Sequence, residues 1–149
     1  MKPPLFATFL DIETEGAFEF IMTPLWPVVE LAVRGLNGVT NTLVCIEGPP
    51  PAHMNIGGGS GNRYVVSLTR DADQYFVLQN PVASSELVDL TVSGGTSKYP
   101  VSMLVPLEMA LLAAKVFTET GLAAPGLPWV GSEDIQQPNL ASVTPETDS

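Results

Sequence analysis

The chain has 149 residues, of which 45% are hydrophobic, and its mean hydropathy is +0.24. That length and composition predict one folded domain with a substantial core and exclude a largely disordered chain. Sixteen acidic and six basic residues give a formal net charge of −10. Such a charge repels phosphate backbones, which argues against direct binding of nucleic acid, and it attracts a basic protein.

The single cysteine, Cys45, excludes an internal disulfide, and its apolar setting in TLVCIE favours a buried, unreactive thiol. The first 15 residues do not resemble a secretory signal, because acidic residues follow one short apolar run. No uninterrupted apolar segment is long enough to span a bilayer. These features predict a cytoplasmic protein that has no membrane partner.

The N-terminal part of the chain combines strand and helix patterns. Residues 1–16 are interpreted as an N-terminal extension with a strand at 5–10. GAFEFIM, at 16–22, predicts a first core strand with Phe18, Phe20 and Met22 on one side. In TPLWPVVELAVRGLNG, two prolines fit the first turn of a helix over about 24–36, with Thr23 as its N-cap.

From residue 40 to about 104, the apolar period becomes that of strands. The polar turn RDAD predicts a hairpin between the strands on its two sides, and SGGTSK lets the last two strands pair. The predicted strands, all short apolar or alternating runs, are 40–47, 53–56, 62–69, 74–80, 86–92 and 99–104.

The segment VPLEMALLAAKVFTETGLAAPGLPW, at 105–129, predicts a second helix with an apolar stripe. Pro106 suits its first turn, Gly121 suits the left-handed cap at its end, and Pro125 prevents the helix from resuming. Trp129 is expected to fold back over the helix or the sheet.

This order of elements predicts an α+β fold, an antiparallel β meander of about five to six strands with two helices packed on one face. The domain is placed at 17–130. Residues 131–149 lose apolar periodicity and are interpreted as a largely disordered tail.

Residue types that carry chemistry are scarce in this sequence. One histidine, His53, and one cysteine exclude zinc sites built from several histidines and thiolates, so we predict no metal or other cofactor. The loop GGGSGN, at 57–62, leads into a strand and lacks the lysine of a phosphate loop, which favours a flexible turn. The acidic residues of DIETEG and RDAD are interpreted as solvated clusters. The sequence therefore predicts a protein that is not an enzyme.

The segment at 105–129 resembles the C-terminal signature of the immunity protein one family of bacterial polymorphic-toxin systems. The resemblance extends over about residues 17–130, while the N-terminal extension and the loop at 48–61 depart from the family pattern. It implies a small cytoplasmic protein that neutralises a cognate toxin, often a deaminase that acts on nucleic acid. The matching positions of the signature are Val105, Pro106, Ala110, Ala114, Phe117, Thr120, Gly121, Pro125 and Trp129.

The resemblance and the net charge lead to a first hypothesis, a 1:1 heterodimer with a basic toxin, either a deaminase or a nuclease. The acidic protein would cover the active site or substrate groove of that toxin. The predicted contact residues lie on loops or strand ends and are Glu13, Glu15, Asp71, Asp73, Tyr75, Lys98 and Tyr99.

Two other hypotheses come from different classes of protein. One is a non-catalytic binding or scaffold module for another protein, or for a small apolar ligand held between sheet and helices. The other is a small hydrolase that uses His53 or the acidic cluster, and it is the least favoured because no nucleophile motif accompanies the histidine.

Overall fold

A computed structural model describes residues 6–71, 74–80 and 86–131, without the side chains of Asp71 and Gln74. In this part of the chain there are a seven-stranded sheet, a two-stranded sheet and two helices, and all strand pairs are antiparallel. The α+β prediction is confirmed, with more strands than expected. The elements are β1 Phe9–Thr14, β2 Ala17–Met22, α1 Trp26–Arg34, β3 Leu43–Glu47, β4 His53–Gly58, β5 Tyr64–Asp71, β6 Gln74–Leu78, β7 Leu87–Val92, β8 Gly95–Pro100, α2 Leu107–Thr120 and β9 Trp129–Gly131.

The large sheet has the strand order β2-β1-β3-β4-β5-β6-β9. β1 is an interior strand, and its Leu10 lies opposite Ile21 of β2 and Ile46 of β3. Residues 9–14, which the sequence analysis placed in an N-terminal extension, therefore belong to the sheet. The strand expected at 5–10 lies four residues later because the buried Leu10 is needed at the centre of the core.

The alternation of side chains along each strand divides the sheet into two faces. Both helices pack on one face, which we call the first face, where they share one hydrophobic core with the sheet. The small side chains of Ala110, Ala113 and Ala114 are fully buried, which lets α2 lie close to the sheet and to α1. The fully buried strand residues of this core are Leu10, Val44, Ile46, Met54, Ile56, Val66, Leu68 and Leu78.

The boundaries of α1 differ in detail from the prediction. The helix begins at Trp26, its N-cap is Leu25, and no side chain caps it. Thr23 is therefore not the N-cap, and it has a left-handed φ of 46° where the chain leaves β2. Pro27 occupies the first turn as predicted, because the amides there have no acceptor within the helix.

The end of α2 is as predicted. Gly121 has a φ of 78°, and its N–H donates a hydrogen bond to the carbonyl oxygen of Phe117 over 2.8 Å. Phe6 lies against this turn, with its ring 5.4 Å from the ring of Phe117 in an edge-to-face arrangement. A Cβ at Gly121 would be 2.5 Å from the Phe6 ring, so glycine is also required for space. Residues 6 and 7 are thus held against the end of α2.

Residues near Trp129 complete the far edge of the sheet. Trp129 lies opposite Leu78 in the β6–β9 pair, and its indole N–H donates to the carbonyl oxygen of Ala124 over 3.1 Å. The tryptophan therefore folds back onto the sheet, in agreement with the prediction. Neither helix is long and apolar enough to cross a bilayer in the part of the chain that the structure describes.

The predicted pairing of the last two long strands is confirmed. Ser93 and Gly94 both have positive φ, 55° and 82°, which is the two-residue turn favoured in hairpins. β8 therefore begins at Gly95, earlier than predicted, and residues 101–103 form a 3₁₀ turn rather than a strand. The β7–β8 hairpin lies over the second face of the sheet, where Val92 occupies the space beside Gly57.

In the glycine-rich segment at 57–62, Gly57 and Gly58 end β4, and residues 59–62 form the predicted turn between β4 and β5. Gly59 has a φ of 111°, and a Cβ there would lie 2.6 Å from the carbonyl group of Leu36. We expect Gly59→Ala to lower the free energy of unfolding by about 2 kcal/mol, because strain and a backbone clash add.

The matched control for this change is Gly61→Ala. Gly61 has a similar left-handed φ of 64°, but a Cβ there would have no heavy atom within 4 Å. Gly61→Ala should lower the free energy of unfolding by only about 1 kcal/mol, and chemical denaturation of both variants measures the difference. Equal losses for the two variants would contradict the close approach of Gly59 to Leu36.

Candidate functional site

The second face carries a continuous row of side chains across six strands. Each member lies directly opposite the next one in the strand register, so neighbours in the row are in contact range. The row passes from an exposed edge strand to a cavity under the β7–β8 hairpin. From β2 to β6 its members are Phe20, Asp11, Cys45, Asn55, Ser67 and Val77.

Large apolar side chains are exposed at the β1–β2 end of this face. We call Phe9, Phe18, Phe20 and Met22 the apolar edge. Their exposed fractions are 40%, 48%, 67% and 70%, respectively. The sequence pattern predicts the three β2 members in the core, and this prediction is wrong because the helices cover the opposite face. A contiguous exposed apolar patch of this kind is typical of a binding surface.

Next to the apolar edge lies an acidic pair, Asp11 and Glu47. Asp11 is only 9% exposed, and its Oδ1 has no hydrogen-bond partner among the described residues. Burial, together with the hydrogen bond and the charge of Glu47, raises the pKa of Asp11 to about 7. Near neutral pH, the Asp11 carboxyl group is therefore about half protonated.

Cys45 lies beside this pair. Burial and the charges of Glu47 and Asp11 raise the pKa of the Cys45 thiol to about 12, so the free thiol is protonated and a weak nucleophile. This agrees with the unreactive cysteine that the sequence predicts. The Cys45 sulfur and one carboxyl oxygen each of Asp11 and Glu47 lie within 4.8 Å of one another.

Glu13 belongs to the same face but has a structural role. The side chain is 1% exposed, and its carboxylate accepts hydrogen bonds from the Gly16 N–H (2.6 Å), the Thr42 N–H (2.9 Å) and the Thr42 hydroxyl (2.7 Å). Burial opposes the charge, yet these donors outweigh it and hold the pKa of Glu13 below its usual value. The Thr42 hydroxyl also accepts from the Gly94 N–H over 2.9 Å, which ties the β7–β8 turn to the sheet.

A cavity of about 250 Å³ lies between the second face and the β7–β8 hairpin. Tyr75 and Tyr99, two of the predicted contact residues, both line it. Burial raises the pKa of each phenol, and a hydrogen bond from Ser67 partly offsets this at Tyr75. The cavity is therefore lined by neutral polar groups and apolar side chains. It lies on the side of the sheet away from the helices, so it differs from the ligand site of the second hypothesis.

The other predicted contact residues are dispersed. Glu15 is exposed in the β1–β2 turn, and Lys98 forms an exposed ion pair with Asp89 over 2.8 Å. The side chain of Asp71 and the whole of Asp73 lie outside the described residues. The structure thus brings Tyr75 and Tyr99 together at one cavity and does not gather the set into one patch.

His53, the residue of the hydrolase hypothesis, lies on β4 opposite Glu47. Its Nδ1 is 3.0 Å from the carbonyl oxygen of Pro51, so the ring contacts its own turn. This contact gives the imidazole a local structural partner. It does not indicate a catalytic pair.

Sequence reasoning missed the apolar edge and the Asp11–Glu47 pair. The available signal was the alternation in FLDIET and AFEFIM, where apolar and acidic residues share both strands. That alternation predicts one exposed face, but it does not say which face the helices cover.

Comparison with protein families shows which part of the chain follows a known family. A family model described as immunity protein Imm1 matches residues 22–131, about three quarters of the chain. A search of curated proteins gives no match. The matched range contains both helices and every strand from β3 onwards, whereas β1 and nearly all of β2 precede it. The chain belongs to the Imm1 family of immunity proteins.

Proposed function

We propose that this immunity protein binds a basic toxin that acts on nucleic acid, a deaminase or a nuclease, and occludes its active site or substrate groove. The complex is a 1:1 heterodimer in the cytoplasm, and the immunity protein catalyses no reaction in it. The apolar edge, exposed beside acidic groups on the face that the helices leave uncovered, is the observation that carries this proposal.

The apolar edge supplies the attraction at short range. Phe20 and Met22 are about two-thirds exposed in the free protein. A partner that covers them removes apolar area from water, which contributes roughly 25 cal/mol per Å². A few aromatic and other large side chains of this kind commonly dominate the binding energy of an interface. Phe20 and Met22 are therefore the proposed anchors.

The charge of the protein acts at longer range. The formal net charge of −10 attracts a partner whose groove is built to hold phosphate. Glu47 and Glu15 contribute negative charge close to the apolar edge, while Glu13 is committed to internal hydrogen bonds. Such a field accelerates association more than it strengthens the final complex. The same groove cannot hold the acidic protein and a nucleic acid together.

The extent of the family match supports the same surface. The helices and the strands from β3 onwards form the shared scaffold, and most of the apolar edge precedes the matched range. A surface that recognises one cognate toxin is expected to be particular to this chain. The β1–β2 hairpin fits that expectation.

The experiment is co-expression with the toxin gene adjacent to the gene for this protein. We expect growth to be rescued, the two proteins to copurify at 1:1, and excess nucleic-acid substrate to compete with the immunity protein. The association rate should fall steeply as salt is raised, because the charges are screened. Absence of both rescue and copurification, or an association rate indifferent to salt, would contradict the proposal.

A further inference from the structure

We propose that Asp11, Cys45 and Glu47 form a binding site for a divalent cation of the zinc type. This inference goes beyond the proposed function, since it concerns the immunity protein alone. It rests on the convergence of three donor side chains from two neighbouring strands and on an unpartnered buried carboxylate oxygen.

The strand register brings the three donors together. Asp11 of β1 lies directly opposite Cys45 of β3, and Glu47 is the next residue of β3 on the same face. One donor atom from each lies within 4.8 Å of the other two. Zinc binds thiolate and carboxylate donors at about 2.0–2.3 Å, so two donors of one ion lie at most about 4.6 Å apart. The three donor atoms lie within 4.8 Å of one another, so small side-chain rotations would bring them to one ion.

The burial of Asp11 and its unpartnered carboxylate oxygen indicate a ligand at this position. The residue is nine-tenths buried, and its Oδ1 has no hydrogen-bond partner among the described residues. A buried carboxylate oxygen without a partner is costly in free energy. The ion pairs observed for Arg34 and Lys98 are made elsewhere, with Glu30 and Asp89. A bound cation would give this Asp11 oxygen the partner that it lacks among the described residues.

The donor set defines the class of cation. One thiolate with two carboxylates favours Zn²⁺ or Cd²⁺ over Mg²⁺ and Ca²⁺, which prefer oxygen donors alone. On binding, the S–H bond of Cys45 breaks, its proton passes to solvent and the sulfur–metal bond forms, with no change of oxidation state. Any proton on the Asp11 carboxyl group passes to solvent in the same way. The single histidine and single cysteine still exclude a zinc site built from several histidines or thiolates. The proposed site is of another kind, because two of its three donors are carboxylates.

The test uses the full chain after removal of any affinity tag and treatment with a chelator. We expect Cd²⁺ to produce the ultraviolet charge-transfer absorption of a thiolate ligand, and calorimetry with Zn²⁺ to give one ion per chain. Asp11→Asn and Cys45→Ser should each weaken binding by roughly 100-fold. Glu19→Gln is the matched control, because it removes the same charge from the next strand, where Glu19 points to the opposite face.

A thermal melt separates loss of the site from loss of the fold. Zn²⁺ should raise the melting temperature of the parent protein and of Glu19→Gln, but not that of a folded Asp11→Asn variant. If Cys45→Ser does not fold, Asp11→Asn decides the question alone, since asparagine keeps the shape and relieves the buried charge. Absence of the charge-transfer band, or parent-like binding by Asp11→Asn, would overturn the proposal. Neither result depends on the toxin, so this inference and the proposed function can fail separately.

Discussion

Replacing Glu13 by glutamine is expected to lower the free energy of unfolding by about 3 kcal/mol. The carboxylate accepts two hydrogen bonds from Thr42 and one from the Gly16 N–H, and all three donors face it in a buried setting. A glutamine amide directs N–H groups at one of these donors and removes the charge that strengthens the other bonds. Urea denaturation at pH 7 measures the loss.

Glu15→Gln is the control for this variant. Glu15 is exposed in the adjacent turn, so its replacement should change the free energy of unfolding by less than about 0.5 kcal/mol. The pH dependence gives a second check. Because the folded-state pKa of Glu13 is lowered, its contribution is present above the unfolded value, near 4.5, and is lost as the pH falls through the folded value. The gap between parent and Glu13→Gln should therefore narrow below about pH 4, and a gap that persists there would contradict a charged Glu13.

The role of Glu13 illustrates how far the sequence could lead. Asp11, Glu13 and Glu15 alternate in DIETEG and were interpreted together as a solvated cluster. The structure separates them, because pairing of β1 with β3 buries the first two beside Cys45 and Thr42. That pairing joins residues about thirty positions apart. A local sequence pattern therefore cannot predict the pairing of β1 with β3.

The parts that were predictable depend on local signals. Proline in the first turn of α1 and glycine in the left-handed cap of α2 define helix ends through a few neighbouring residues. The pairing of β5 with β6 and the turn after β7 likewise follow from adjacent polar or glycine residues. These signals account for the α+β class and most element positions. β9 was not predicted, and β1 was expected four residues too early, because each strand is defined by its partners in the sheet.

The exposed position of β2 likewise depends on its place in the sheet and not on its local sequence. AFEFIM looks like a core strand, yet β2 is the edge of the sheet and its phenylalanines face away from the helices. A stretch of this kind is an aggregation hazard unless a partner covers it, and acidic neighbours help to keep it soluble until then. A toxin partner would therefore bury a surface that is unfavourable in the free protein.

The double replacement Phe20→Ala and Met22→Ala is expected to weaken toxin binding by about 30-fold or more, corresponding to about 2 kcal/mol. Both side chains are largely exposed, so the free energy of unfolding should change by less than about 0.5 kcal/mol. Surface plasmon resonance with the cognate toxin measures the affinity. The loss should appear mainly as faster dissociation, because the charge that steers association is unchanged.

Leu31→Ala is the matched control for the apolar edge. Leu31 is 74% exposed on α1, so it presents as much apolar surface as Met22 but on the helical side of the sheet. If toxin binding uses the second face, Leu31→Ala should leave the affinity within about twofold of the parent, a change of no more than about 0.4 kcal/mol. A large loss with Leu31→Ala and none with the double variant would assign the interface to the helices. In that case the acidic groups beside the apolar edge would have no part in recognising the toxin, and inhibition would proceed from the opposite side of the molecule.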